Sequence, residues 1–166
     1  MRLIGLAGWS GSGKTTLLAK LLPVLITRGR TVSTIKHAHH SFDVDQPGKD
    51  SHTHRLVGAH EVLISSGKRW ALMHELRGER EPTLRELVPR LSRVDLVIVE
   101  GFKSETHAKL EVHRSSVGKP MLYAHDPHIV AIASDTRPAN LTLPFADLND
   151  IDAIADLVDE LARPYP

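Results

Sequence analysis

Eight residues near the amino end, Gly8-Trp9-Ser10-Gly11-Ser12-Gly13-Lys14-Thr15, fit the pattern G-x-x-x-x-G-K-[ST] and constrain the chain more than any other feature. The flanks agree with the motif. Arg2 to Ala7 is a short apolar run that reads as a buried parallel strand, and Lys14 to Arg28 carries leucines at helical spacing (Leu17, Leu18, Leu21, Leu22, Leu25). Phosphate oxygens need a concave row of backbone N–H donors, and glycines let the chain curl around them without Cβ clashes. The helix that follows adds the positive end of its dipole. A strand, a glycine loop and a helix in this order therefore predict a cradle for a nucleoside triphosphate. Lys14 would reach the β- and γ-phosphates, and the Thr15 hydroxyl would hold Mg²⁺.

Composition narrows the setting. The 166 residues suit one domain, expected to span 1–166 as a single nucleotide-binding unit. A net charge of +1 gives no reason to expect nucleic acid or an anionic membrane as the main partner. No apolar run approaches the roughly 18–20 residues of a bilayer span, and the amino end reads as a strand rather than a signal peptide. The absence of cysteine excludes disulfides and thiolate metal sites and points to the cytoplasm. Aromatics are only 4%, so the core must be aliphatic.

Thr31 to Lys36 reads as a second strand, completing a βαβ unit, with Pro23 placed to bend the first helix and Gly29 to cap it. His37 to Lys49 lacks periodicity and reads as a loop. Asp50 to Ala59 is a short helix capped by Asp50 or Ser51. His60–Ser65 and Arg69–Leu76, joined by Ser66-Gly67-Lys68, form a hairpin that would bring antiparallel strands into an otherwise parallel sheet. Thr83 to Leu91 is a helix whose end Pro89 leaves open. Strands follow at Val94–Val99, Leu110–His113 and Ile129–Ala133, then an amphipathic helix from Asp150 to Ala162. The expected architecture is α/β, three-layer and P-loop NTPase-like, a mostly parallel sheet with an antiparallel hairpin.

Such folds place an acidic residue at the end of a neighbouring apolar strand, near the metal and its waters. Leu96-Val97-Ile98-Val99-Glu100-Gly101 supplies Glu100, whereas Asp95 opens the same strand at the wrong end. The second strand ends in Lys36-His37-Ala38-His39-His40, on the side where ligands collect in open α/β sheets. His37, His39 and His40 are zinc ligands, solvated loop residues, or, with Lys36, Lys49 and Arg55, a basic rim for phosphate. Asp43 and Asp45 are the nearby carboxylates. Asp45, beside the Pro47-Gly48 turn, is the better candidate to bind Mg²⁺ through water or orient an attacking water.

Taken together, Gly8 to Thr16, the Lys36-to-His40 stretch, Asp45-x-Pro47-Gly48-Lys49-Asp50-Ser51 with Arg55, and Val99-Glu100-Gly101-Phe102-Lys103 resemble the molybdopterin-guanine dinucleotide biosynthesis protein B (MobB) family. The resemblance covers nearly the whole chain. It implies a GTP-binding, slowly hydrolysing accessory protein in molybdenum cofactor synthesis, working beside the molybdopterin guanylyltransferase as a homodimer. Gly11, Ser12, Gly13, Lys14, Thr15 and Thr16 would bind phosphates, Thr15 and Glu100 would serve Mg²⁺, and His37, Asp45, Lys49, Asp50 and Arg55 would line the second part of the site. No Asn-Lys-x-Asp guanine-reading segment occurs. Asp135, after the strand ending at Ala133, is a candidate acceptor for the guanine edge or simply a turn cap, and His125-Asp126-Pro127 is another candidate loop.

Two other functions fit parts of the pattern. A P-loop kinase or ligase would use ATP and an anionic acceptor, although no arginine-rich lid is evident. A histidine-rich nickel or zinc metallochaperone GTPase would bind metal without nucleotide.

Overall fold

The computed structural model describes residues 1–38 and 42–165. The first part of the chain forms β1 (Arg2–Ala7), α1 (Lys14–Thr27), β2 (Val32–Lys36), α2 (Asp50–Leu56), β3 (Glu61–Ser65), β4 (Trp70–His74) and α3 (Leu84–Leu87). Then come β5 (Leu96–Glu100), β6 (Lys109–His113), β7 (Ile129–Ser134), β8 (Phe145–Asp147), α4 (Ile151–Leu161) and β9 (Arg163–Pro164). These elements pack as two compact units, Met1–His37 with Val88–Pro166, and Ala38–Leu87.

In the first unit the sheet order is β2-β5-β1-β6-β7-β8, all parallel. The short β9 runs antiparallel to β1 at Arg2 and Leu3, where β6 has not yet begun to pair. β1 lies at the centre, between β5 and β6, so the glycine loop leaves the middle of the sheet at its carboxyl edge. The leucine stripe of α1 explains its seat. Leu17, Leu21 and Leu25 are buried with Ile4 and Leu6 of β1, Leu96 and Ile98 of β5, and Ile154 and Val158 of α4. Each such leucine contributes about 1.5–3 kcal/mol from apolar area removed from water. Pro23 is accommodated inside α1. The helix ends where expected. Gly29, at φ 80°, lets its own N–H reach the Ile26 carbonyl while Arg30 N–H reaches that of Leu25, a Schellman closure. α4 starts on Asp150, whose carboxylate accepts from Ala153 N–H.

β6 differs from its neighbours because both of its faces are buried but only one is apolar. Leu110 and Val112 join the core with α1 and α4, while Lys109 and Glu111 point the other way. Their charges are satisfied by the irregular segment that follows the strand. Lys109 Nζ donates to Asp126 Oδ2 at 2.9 Å, and Glu111 accepts from the Leu122 and Tyr123 amides. Burial pushes the Glu111 carboxyl up from its ordinary value, and those two amides oppose the shift.

The second unit is built on the β3–β4 hairpin, paired from Glu61↔His74 to Ser65↔Trp70. The hairpin forms a two-stranded sheet of its own instead of extending the parallel sheet. One hairpin face buries Val62 and Met73, and α2 packs on β3. The other face leaves Leu63, Leu72 and Trp70 exposed. α2 is capped by Lys49, in extended conformation, with Asp50 as the first helical residue instead of the cap. The helix expected at Thr83–Leu91 is only one α-turn before Pro89 falls in a 3-10 turn, Val88–Arg90. No helix among the described residues is long and apolar enough to cross a membrane.

Candidate functional site

The glycine loop owes its shape to three glycines in the left-handed or extended positive-φ region, Gly8 (145°), Gly11 (82°) and Gly13 (94°). At Gly8 a side chain is impossible, because a Cβ would stand 2.3 Å from the Val112 carbonyl of β6. Gly13 is the N-cap of α1, and neither a capping side chain nor an acidic first-turn residue neutralises that helix end. Lys14 arches back over the loop, its Nζ donating to the Gly8 and Trp9 carbonyls at 2.9 Å each. Burial lowers the pKa of Lys14, the Glu100 carboxylate raises it, and Lys103 and Lys36 lower it further. Ser12 is buried, and its Oγ has no hydrogen-bond partner among the described residues. Thr15 and Thr16 are exposed at the start of the helix. The unpaired N–H groups that a helix N-terminus leaves, an orphaned hydroxyl and a lysine over that uncompensated end fit an anionic phosphate chain.

Glu100 stands where its strand context places it, at the carboxyl end of β5, in register with Leu6 of β1 and Lys36 of β2. Its side chain is half-buried, and Lys36 Nζ lies 3.9 Å from Oε2. The chain then turns through two positive-φ residues, Gly101 and Phe102. This turn lets His37 pack directly on Gly101, with its N–H donated to the Glu100 carbonyl and its ring 4.8 Å from that of Phe102. Thr15, at the start of α1, and Glu100, at the end of β5, both stand at the carboxyl edge of the sheet. Asp95 is at the opposite end, clamped to the Thr31 amide and hydroxyl.

Asp135 follows β7 directly and is exposed. Both of its oxygens accept from Ser115, one from the amide and one from the hydroxyl. Oδ1 also accepts from Ser134 Oγ at 3.4 Å, and Oδ2 keeps lone-pair capacity for a further donor. The alternative loop at His125-Asp126-Pro127 is excluded as a base reader, because it precedes β7 at the amino edge of the sheet and Asp126 is held by Lys109. Arg114, which no sequence motif marks, immediately follows β6 and lies half-buried beside Gly13. The signal that identifies it is positional, a basic residue one step past a strand adjacent to β1.

The remaining predicted residues belong to the second unit. Asp45 accepts from Ser51 Oγ, Gln46 N–H and Arg55 Nε, and its side chain is only 4% exposed. Arg55 also binds Asp43 and Glu75, so one guanidinium ties three carboxylates together. Lys49 and Asp50 are exposed at the start of α2. His39 and His40 lie outside the described residues, and among the described residues no group of three potential ligands is gathered for a metal.

A central parallel strand, a lysine-capped glycine loop opening a helix, and a glutamate ending the adjacent strand define a P-loop NTPase-like fold. The family model for molybdopterin guanine dinucleotide synthesis protein B matches residues 3–135. A relative from Escherichia coli, a molybdopterin-guanine dinucleotide biosynthesis adapter protein, is 47% identical over 95% of this chain and 91% of its own length. One of the same name from Haemophilus influenzae is 42% identical over 95% of this chain and 87% of its own. A crystal structure of molybdopterin-guanine biosynthesis protein B superimposes with a TM-score of 0.76 at 28% identity, covering 96% of this chain and 97% of that one. The chain belongs to the molybdopterin guanine dinucleotide synthesis protein B (MobB) family.

Proposed function

We propose that this protein binds GTP with Mg²⁺, hydrolyses it slowly, and acts as an adapter in molybdopterin guanine dinucleotide biosynthesis. The observation that carries the nucleotide reading is the pairing of Lys14 over the glycine loop with Glu100 at the end of the neighbouring strand. The loop N–H groups from Gly11 to Thr16 bind the phosphates, Lys14 neutralises them, and Thr15 and Glu100 hold Mg²⁺ directly or through water. When bound, the metal supplies charge neutralisation at the phosphates. His37, stacked beside Gly101, orders the turn next to Glu100. Positioning without an assigned water-activating base accounts for slow turnover. Asp45, Lys49, Asp50 and Arg55 enter the proposal through family membership, and the Asp45–Arg55 pair is the part of it that D45N tests by turnover.

The guanylyltransferase that uses GTP and molybdopterin is the proposed partner, and the cytoplasm is the proposed location. A homodimer is supported by the exposed hairpin face, where cross-strand partners Leu63 and Leu72 lie beside Trp70. Replacing both leucines with glutamate should give a monomer by analytical ultracentrifugation, and an unchanged sedimentation coefficient would remove that face from the interface.

Calorimetric titration with GTP and ATP, with and without Mg²⁺, tests the nucleotide reading against Lys14→Ala. Mg²⁺-dependent GTP binding that the substitution abolishes is expected. Preferred ATP binding would favour the kinase or ligase reading, and tight nickel or zinc binding without nucleotide would favour the metallochaperone.

A further inference from the structure

We propose that Arg114 is a phosphate-binding residue of the P-loop site, supplying from the turn after β6 a second cation beside the N-cap of α1; this rests on the nucleotide reading above. A Cβ built on Gly13 would stand 3.5 Å from Arg114 Nη2 and 3.8 Å from its Nε, so the guanidinium lies against the N-cap of α1. That is an unfavourable place for a cation. The helix N-terminus carries a positive partial charge, its first turn holds no acidic residue, and Lys14 is already there. Among the described residues the guanidinium has no hydrogen bond and no ion pair. Two positive groups stay together at a positive helix end when an anion sits between them. Ser12 Oγ, buried and unpartnered in the same loop, is a second polar group awaiting such a ligand.

The backbone around Arg114 is fixed on both sides, as a preorganised ligand requires. His113 uses both ring nitrogens, one with Ser134 Oγ and one with the Lys119 carbonyl, at 3.1 Å each. Ser115 is held by Asp135. The same segment is clasped to the glycine loop itself. Trp9 Nε1 donates to the Pro120 carbonyl at 2.7 Å, and Lys119 Nζ lies 5.9 Å from the Trp9 ring. An arginine presents a planar fork of donors that matches phosphate geometry, which a loop amide alone does not. Phosphate of a nucleotide and free inorganic phosphate share this chemistry, and GTP, GDP and inorganic phosphate therefore form separate arms of the test.

The experiment compares wild type, Lys14→Ala, Arg114→Ala, Arg114→Gln and Arg114→Lys by calorimetry with each ligand, in Mg²⁺, at several salt concentrations. Arg114→Ala should weaken GTP and GDP by about 10–100-fold, the range of one charge-assisted contact. It should also flatten the salt dependence of binding, and Arg114→Lys should recover part of both. A purely structural role would lower thermal stability without changing the salt dependence. If Arg114→Ala fails to fold, Arg114→Gln keeps the aliphatic stem and removes the charge. Wild-type binding abolished by Lys14→Ala but unaltered within twofold by Arg114→Ala and Arg114→Gln would overturn this proposal and leave the P-loop reading standing. No nucleotide binding by wild type would overturn both. Inorganic phosphate bound as tightly as GTP, with the same loss in Arg114→Ala, would support the phosphate contact and overturn the nucleotide as its source.

Discussion

The amide and the hydroxyl of Ser115 each donate to the Asp135 carboxylate at 2.9 Å, tying the turn after β6 to the carboxyl end of β7. Those bonds hold the Asp135 carboxyl below its ordinary range, the Ser115 amide contributing most, partly opposed by burial and reinforced by the Ser115 hydroxyl. The side chain is therefore a charged acceptor in fixed orientation.

Such an acceptor suits the N–H donors of a guanine edge, and Asp135→Asn inverts part of that pattern. A carboxamide offers one donor and one acceptor, which matches the 2-oxo edge of xanthine better than guanine. The ratio of GTP to XTP affinity should fall by about tenfold or more, because a site built to accept leaves mismatched polar groups unpaired. Calorimetry with both nucleotides measures it. Equal weakening of both, with the ratio unchanged, would reduce Asp135 to a turn cap.

Gly101→Ala should destabilise the fold by about 1–3 kcal/mol, through left-handed strain and a clash with rigid backbone neighbours. The added Cβ would stand 2.5 Å from His37 Cβ, at a φ of 98°. Denaturant titration gives the cost, and a midpoint unchanged from wild type would contradict the close approach. Because Glu100 is the preceding residue, the Mg²⁺ dependence of GTP binding should weaken in the same variant.

What the sequence made legible follows from where its signals are local. The glycine loop, the leucine face of α1 and the Glu100-ending strand depend on neighbours within a few residues, and all three stand where pattern reading puts them. β8 and β9 went unread because strands of three and two residues carry too few side chains to show a period. The separate pairing of the hairpin, instead of its joining the parallel sheet, is a long-range choice that alternation within β3 and β4 does not encode. In the site the same limit applies. Lys14 and Glu100 announce themselves by motif and strand context, whereas Arg114 reaches Gly13 only because β6 lies beside β1. Asp45, picked for its position beside a turn, is found committed to Ser51 and Arg55, partners ten residues away or fewer.

His107 gives the protein an acid-sensitive point away from the glycine loop. Its ring is buried against the backbone of Gly5, and neither ring nitrogen has a hydrogen-bond partner among the described residues. Burial first, then the nearby Lys109, with Asp126 opposing and His128 adding, lower its pKa to about 4. The unfolded chain takes up its proton near the ordinary value of about 6.5. Between those values the unfolded state binds more protons, so the stability present at neutral pH is lost as pH falls from about 6.5 toward 4. Discounted for solvent screening, the loss is about 1–2 kcal/mol. The His107 ring resonances should not titrate above pH 5 by NMR, and the stability difference between wild type and His107→Phe should narrow or reverse as pH drops. A ring that titrates near 6.5 would contradict its burial.

Ser12→Ala separates the two things a buried, unpartnered hydroxyl does in a ligand-binding loop. Ser12 is 2% exposed and its Oγ makes no hydrogen bond among the described residues, so in the absence of nucleotide it carries a desolvation cost with no return. Alanine removes that cost while leaving the backbone N–H groups of the cradle in place. Stability without nucleotide should therefore rise by about 0.5–1 kcal/mol, read from denaturant or thermal unfolding. Affinity for GTP should move the other way, falling by about three- to tenfold if the hydroxyl meets a phosphate oxygen or its bound water. A drop in stability of more than about 1 kcal/mol without nucleotide would show that the hydroxyl is already satisfied in the free protein. A rise in stability with unchanged GTP affinity would instead confine Ser12 to packing beneath Gly8, where its Oγ lies 2.7 Å from the position of a Cβ on that glycine.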